Sequence, residues 1–336
     1  MIQQPLWRIT VLPKRMFAMP YFIFIVNPTA GKGVHSESLC ARIRSYFSTQ
    51  NIDFEIYRTV GPQDALQFVR SYPARKDNVP ICFVACGGDG TLHEVVNGAA
   101  GRTDCTVSVI PCGSGNDYVK NFGSSDAFTD LERLAKGHPH PVDLLDCSGE
   151  YAVNLCNIGF DARVAHHMSK FKRIPFVSGP LAYTLSLLFC ILGPISSTMT
   201  ISHSGEEPLT EKLILAVVAN GYCYGGGYYP VPDACATDGI MEFCGVRKMS
   251  RFQMSRFINI YQKGLHLNNP QLAAKILYQK GQSLTIRGKH PLVVCLDGEI
   301  RKKKELSIHL VPSALSFWLP EGAIPANLPP IGAVQR

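Results

Sequence analysis

Residues 80–96 read PICFVACGGDGTLHEVV, and the fold turns on this stretch. Pro80 opens an apolar run, 81–85, with no polar position on either face. A run of that kind is expected for a strand covered on both sides, as in a parallel sheet. Cys86-Gly87-Gly88-Asp89-Gly90-Thr91 breaks the run, and Leu92, Val95 and Val96 resume it at helical spacing. The glycines let backbone amides approach a phosphate. Asp89 offers a carboxylate to a magnesium ion or a ribose, and Thr91 a hydroxyl at a helix N-terminus. The same residues also suit a plain strand-to-helix turn capped by Asp89 or Thr91.

The unit recurs on both sides of this stretch. Residues 22–26 form a β-type run, Asn27-Pro28-Thr29-Ala30-Gly31-Lys32-Gly33 interrupts it, and Leu39, Ile43 and Phe47 follow as a helical stripe. Residues 53–59 read as a strand and 65–72 as a helix. Residues 106–110 read as a further strand, entering Pro111-Cys112-Gly113-Ser114-Gly115-Asn116-Asp117. The alternation predicts a parallel sheet with right-handed crossovers and three glycine-containing loops at its carboxyl edge, where open α/β sheets bind ligands. In such a site Asn27 would orient a sugar or amide and Lys32 would face a phosphate; otherwise Lys32 is a solvated lysine, and Asn116 and Asp117 close an Asx turn. GxGxxG is absent from the first loop, and a Walker A loop would need glycine where Val26 stands.

Beyond residues 137–141 (GHPHP) the texture changes to short β-type runs at 151–157, 212–219, 239–246, 283–287, 292–296 and 306–310. Helices are expected at 179–192 and 251–265. The predicted architecture is an α/β N-terminal domain with a parallel sheet, residues 20–140, joined to a mainly antiparallel β C-terminal domain, residues 141–313. Residues 314–320 are expected to return to the first domain. Residues 1–19 read as an extension without the apolar core of a signal peptide, and 321–336 as a poorly ordered tail.

At 336 residues the chain is long enough for about two domains. With 46% apolar and 18% charged residues it is globular rather than disordered. The net charge of +7 fits an anionic substrate, a nucleotide or an acidic membrane surface, and is too weak to indicate nucleic-acid binding. None of the twelve cysteines forms a CxxC pair, and Cys82, Cys86 and Cys295 lie in apolar runs, so free thiols in a reducing cytoplasm are expected. The uncharged stretch 174–203 is cut by Gly179-Pro180 and Gly193-Pro194. That leaves a shorter helix carrying Leu181, Leu185, Leu188 and Leu192, buried or interface-facing rather than membrane-spanning. Lys170-Phe171-Lys172-Arg173 and Arg301-Lys302-Lys303-Lys304 read either as solvated turns or as attraction for anionic headgroups, at about 1 kcal/mol per basic residue. His166 and His167 are expected to decorate a helix rather than bind metal.

Asn27-Pro28-x-Ala30-Gly31, Gly87-Gly88-Asp89-Gly90-Thr91, Pro111-x-Gly113-Ser114-Gly115-Asn116-Asp117, Asn157-x-Gly159-Phe160-Asp161-Ala162, Asn220-Gly221 with Gly225-Gly226-Gly227, Pro232-x-Ala234, Asp238-Gly239 and Asp297-Gly298-Glu299 follow one another along the chain. In kind and order they resemble the diacylglycerol and sphingosine kinase-like lipid kinase family, over about residues 21–319. The resemblance implies an NAD kinase/phosphofructokinase-like nucleotide domain, ATP and Mg2+ as cofactors, and a membrane lipid substrate entering from the second domain of a peripheral membrane enzyme. It assigns Asn27, Lys32, Gly87, Gly88, Asp89, Gly90, Thr91, Gly113, Ser114, Asn116 and Asp117 to the nucleotide, with Asp89 also serving magnesium. Glu299 is implied as the general base; on the residues alone it reads as the exposed shoulder of a hairpin turn. A further magnesium site is implied at Asp238 with the carbonyls of Cys235 and Ile240, supported through water by Asp143. Without the family pattern, Asp143 and Asp161 read as turn or capping acids.

Two positions depart from the family. Lys120 stands where an arginine is usual and loses its bidentate fork. Thr237 precedes Asp238-Gly239 where a second acid is common. Diacylglycerol is the expected acceptor, giving phosphatidic acid, while sphingosine, ceramide and phosphatidylglycerol kinases share these loops. One rival is an NAD kinase-like enzyme with a soluble substrate, which shares the Gly-Gly-Asp-Gly loop but not the third loop or Asp-Gly-Glu. The other is a silent nucleotide- or lipid-binding regulator, against which Asp89, Asp238 and Glu299 are all intact. Oligomeric state is not readable from the sequence.

Overall fold

The structure, a computed structural model, describes residues 18–33, 36–171, 174 and 179–327. Its first part alternates β1 (Tyr21–Val26), α1 (Ser36–Thr49), β2 (Phe54–Arg58), α2 (Asp64–Ser71), β3 (Ile81–Gly87), α3 (Asp89–Ala99) and β4 (Cys105–Pro111). These strands pair in parallel in the order β4-β3-β1-β2. Every residue of β3 is buried. Ile81, Phe83 and Ala85 share a core with α2 and α3, whereas Cys82, Val84 and Cys86 pack with Leu39, Cys40, Ile43 and Phe47 of α1. The period-two side-chain alternation of a strand thus feeds two apolar layers. Each large side chain so buried contributes about 1.5–3 kcal/mol.

Two short helices follow, α4 (Asp126–Thr129) and α5 (Leu131–Ala135). Asp130 caps the second by accepting from the Glu132 and Arg133 amides. The remaining elements are β5 (His138–Cys147), β6 (Tyr151–Ala152), β7 (Leu155–Gly159), α6 (Phe160–Phe171), α7 (Gly179–Leu192), β8 (Ser197–His203), β9 (Leu209–Ala219), β10 (Met241–Arg247), α8 (Arg251–Gln262), β11 (Ile276–Gly281), β12 (Ser283–Leu296) and β13 (Glu299–Leu319). Apart from one contact of β13 with β4, the pairs made by these strands are antiparallel. β9 and β12 each pair with β7 along one half and β8 along the other, enclosing an apolar core. Phe317 of β13 pairs in parallel with Val107 of β4, which joins both parts into a thirteen-stranded sheet.

Several expectations are corrected. Residues 138–141, expected to precede the β-rich part, are the start of strand β5, paired with the far end of β13; their prolines lie where no second strand demands an N–H. The runs 283–287 and 292–296 are one strand, as are 306–310 and the segment after it, because register shifts at 287/292 and 311/315 absorb the interruptions. Strands β8 and β11 carry no expectation from the sequence, whereas α6 is the helix expected at His166 and His167. Residues 321–327, expected to be loose, are tied down: Ile324 N donates to Phe122 O, Ala326 N to Asn121 O, and the Asn327 amide to Pro232 O. Helix α7 buries Ala182, Ser186 and Cys190, not its leucines; Leu181, Leu188 and Leu192 are exposed. Among the described residues no helix is long and apolar enough to cross a membrane. All twelve cysteines are free. Residues 1–17, Lys172, Arg173, 175–178 and the tail beyond Asn327 lie outside the described residues, as does the Lys32 side chain.

Candidate functional site

The carboxyl edge of the first strands, the β12–β13 turn and the helices of the second part line one cleft of about 1560 Å3. Drug-sized ligands fill roughly 300–1,000 Å3, so this volume has room for a nucleotide and part of a second substrate. Asn27, Gly88, Asp89, Gly90, Thr91, Gly113, Ser114, Asp117 and Glu299 all border it. Gly87 closes β3 directly beneath, and Asn116 lies inside the third loop. Asp143, Cys235, Asp238 and Ile240 are not among the lining residues.

The loops meet backbone to backbone. A Cβ on Gly113 would lie 2.6 Å from Gly88 Cα, and one on Gly115 would lie 2.6 Å from Asp89 Oδ2. Only glycine permits this approach. Gly88 is the N-cap of α3 and no side chain caps the helix, while the Thr91 amide turns back onto Gly88 O, so the amides of Asp89 and Gly90 lie without a capping side chain at the cleft. Asp89 accepts from Asn116 N through Oδ2 and from Asp117 N through Oδ1, both at 2.9 Å. It therefore clamps the third loop onto α3. Burial, then the neighbouring Asp117 charge, pushes its carboxyl up to about 6. Asn116 folds its own loop, accepting from Gly113 N and donating to Gly113 O, at a left-handed φ of 49°. The Asn27 amide donates to Thr91 Oγ1. Asp117 pairs with Lys120 Nζ at 2.6 Å and accepts from Gly226 N, tying the third loop to the Gly225-Gly226-Gly227 turn.

At the opposite wall, a Cβ on Gly90 would lie 3.1 Å from Glu299 Oε1, so this carboxylate stands over the first turn of α3. It is 38% exposed, with Arg301 Nη1 3.6 Å from Oε2. Asp297, at the left-handed turn position before Gly298, accepts from the amides of Val153, Asn154 and Leu155. It also lies 3.4 Å from His93 Nδ1. Arg301, read in the sequence as one of a basic cluster, is instead held by Glu150 at 3.0 and 2.6 Å. Glu150 is in turn 3.1 Å from His93 Nε2. Asp297 was legible within Asp-Gly-Glu. His93 and Glu150 were not, because they are 57 residues apart and nothing local marks either.

Past Glu299 the cleft becomes apolar, lined by Phe160, Val164, Leu187, Ile214, Met254 and Phe257. Asp161 opens α6 inside this apolar part, where burial raises its carboxyl to about 6 and Tyr224 donates a hydrogen bond to it. It is a half-buried acid in the first turn of the helix, held by the Tyr224 hydroxyl.

Residues 21–147 match the diacylglycerol kinase catalytic domain, and residues 154–319 match the YegS C-terminal NAD kinase beta sandwich-like domain. The chain belongs to the diacylglycerol kinase-like lipid kinase family. The chain is 25% identical over 279 residues to a protein named diacylglycerol kinase of Bacillus subtilis, covering 82% of this chain and 88% of that one. Against a diacylglycerol kinase of Staphylococcus carnosus the identity is 27% over 277 residues, covering 82% and 87%. A crystal structure of a diacylglycerol kinase from Bacillus anthracis superposes with a TM-score of 0.66 at 20% identity, over 90% of this chain and 98% of that one, and so shares its fold. As a member of the family this chain is a phosphotransferase with an alcohol acceptor.

In this lipid kinase a second acidic spot lies away from the cleft. Asp143 Oδ2 accepts from Gly239 N and Oδ1 from Ser313 N, the amide at the β13 register shift. Asp238 Oδ1 accepts from Ile240 N at 3.0 Å. Burial, then the nearby Glu242 and Asp143 charges, raises the Asp238 carboxyl. Among the described residues no group of three or more His, Cys, Asp or Glu side chains could hold a metal ion by itself.

Proposed function

We propose that the chain transfers the γ-phosphate of ATP, with magnesium, to the primary hydroxyl of diacylglycerol, giving phosphatidic acid. The observation that carries this reading is that Glu299 stands over the open amides of α3 in a cleft whose far half is apolar. Phosphoryl transfer needs positioning, charge neutralisation and one base near the nucleophile, and needs no covalent intermediate.

In this reading the amides of Gly88 and Gly90 and the side chains of Asn27, Thr91 and Ser114 hold the phosphates, with Lys32 in support and Gly113 and Asn116 shaping the third loop. Asp89 and Asp117 fix the loops and face the nucleotide's metal. Magnesium, when bound, neutralises phosphate charge. Glu299 accepts the acceptor hydroxyl's proton as the oxygen bonds to phosphorus and ADP leaves. Asp238, the carbonyls of Cys235 and Ile240, and Asp143 through water would hold a second magnesium that stiffens the β13 edge. The chain divides into a nucleotide domain of residues 20–140 with 314–320, and a lipid domain of residues 141–313. The exposed face of α7 with Phe252 of α8 rests on the membrane surface, and the free, buried thiols suit the cytoplasm.

The test is transfer of labelled γ-phosphate from Mg-ATP to diacylglycerol, sphingosine, ceramide and phosphatidylglycerol in micelles, beside NAD, with Glu299→Gln as control. Label in diacylglycerol, lost in the control, is the expected result. Label in another lipid alone reassigns the acceptor, and label only in NAD or an unimpaired control overturns the mechanism.

A further inference from the structure

Five ionisable side chains form a row whose two ends, Asp297 and Glu299, lie at the cleft wall. Asp297 Oδ2 is 3.4 Å from His93 Nδ1, and His93 Nε2 is 3.1 Å from Glu150 Oε1. Glu150 grips the Arg301 fork at Nε and Nη2, and Arg301 Nη1 reaches Glu299 at 3.6 Å. His93 comes from α3, Glu150 from the turn before β6 and Arg301 from β13. His93 is only 2% exposed, so water cannot replace these partners.

We propose that His93 is a positioning residue for phosphoryl transfer, acting on Glu299 through Glu150 and Arg301. The inference rests on the reading of Glu299 as the base. Glu150 and Glu299 compete for one guanidinium, whose planar fork satisfies a bidentate partner best. With Glu150 held by His93, Arg301 stays turned toward Glu150 and only brushes Glu299, which remains free to accept a proton. Once His93 lets go, Glu150 can swing and Arg301 closes on Glu299, which weakens it as a base and draws it off Gly90.

The charge on His93 fits this role. Burial works against the imidazolium, but the hydrogen bonds it donates to Asp297 and Glu150 outweigh this and raise His93 to about 9. The His93 hydrogen bond, with Arg301 adding to it, lowers Glu150 to about 2. Asn97, one turn along, donates to the His93 carbonyl and lies 3.4 Å from Nε2, while Arg70 of α2 reaches only the Asn97 carbonyl. Glu94 is turned away to the Gln63 amide and Asp89 to the third loop. The ring therefore loses its proton as pH rises through about 9, and neutral imidazole can donate to only one of its two acids.

The test is steady-state kinetics of His93→Gln, Glu150→Gln and Arg301→Lys against the parent and Glu299→Gln, from pH 6 to 10. His93→Gln is expected to lower kcat about tenfold, as small misplacements of a reacting group do. KM for Mg-ATP and lipid should stay within about twofold, since ground-state binding is untouched. The parent should show an alkaline limb in kcat near pH 9 that His93→Gln lacks, and the double variant His93→Gln/Glu299→Gln should be no worse than Glu299→Gln. Nitrogen NMR of the His93 ring should give a midpoint near 9 that falls in Glu150→Gln. If His93→Gln folds poorly, Arg301→Lys and the NMR midpoint carry the test. An unchanged kcat and pH profile in His93→Gln and Arg301→Lys, with Glu299→Gln impaired, overturns the relay and leaves the base. A fully active Glu299→Gln overturns the base reading and the relay with it.

Discussion

Asp297 commits both oxygens to three backbone amides and the His93 ring, and so pins the β12–β13 turn to the segment before β7. In Asp297→Asn the amide nitrogen faces those donors. Leaving one or two buried N–H groups unpaired should cost about 2–4 kcal/mol, measured as a lower midpoint in urea unfolding. Asp89 makes a different prediction. Its folded value of about 6 lies above the ordinary 3.8, so the fold favours the protonated form. This group's contribution to stability is full below about 3.8 and lost as pH rises through 6. Function runs the other way, because a protonated Asp89 neither attracts a cation nor accepts from both loop amides. KM for Mg-ATP should therefore climb as pH falls through 6 in the parent, and Asp89→Asn should show a high, pH-independent KM.

The junction between β3, α3 and the third loop depends on two elements touching without side chains. Gly113→Ala would drive a methyl into Gly88 Cα at 2.6 Å, forcing the loops apart. Nucleotide affinity, read by titration calorimetry, should fall at least about tenfold, while global stability drops by about 1–3 kcal/mol, the usual range for overpacking. Helix α8 offers a contrast: Ser250 and Gln253 form a complete capping box far from the phosphate loops. Ser250→Ala should cost about 1 kcal/mol in thermal unfolding and leave kcat unchanged. Helix α7 was legible as a helix between its Gly-Pro breakers. Which side faced inward was not, since its inner face is Ala182, Ser186 and Cys190, the side on which Ser186 donates to the Val164 carbonyl.

At the scale of the molecule, α7 and α8 put Leu192 at 82% exposure, Phe252 at 67%, and Leu188 and Phe189 at 54%. Arg251 donates to the carbonyls of Ile191 and Gly193, which holds the two helix ends side by side. Such a patch suits a bilayer better than water. Leu192→Ser with Phe252→Ser should reduce sedimentation with anionic vesicles and activity on vesicle-borne lipid, while activity on a short-chain acceptor in micelles is retained. Equal vesicle binding by the double variant would refute the membrane reading.

The sequence alone determined the alternation of strands and glycine loops in the first part, and with it the edge at which Asn27, Gly88, Asp89, Thr91 and Gly113 meet. Local chemistry suffices there: a doubly buried strand must read as an apolar run, and a backbone that touches another must be glycine. Tertiary structure alone decided the rest. It made two interrupted runs into β12 and two more into β13, took Arg301 out of its basic cluster, and turned Leu181, Leu188 and Leu192 of α7 outward. It also joined His93, Glu150 and Asp297 into one line from three distant parts of the chain. Those outcomes depend on what packs against what, and pairing between residues far apart in sequence leaves no period or spacing in the chain to be read.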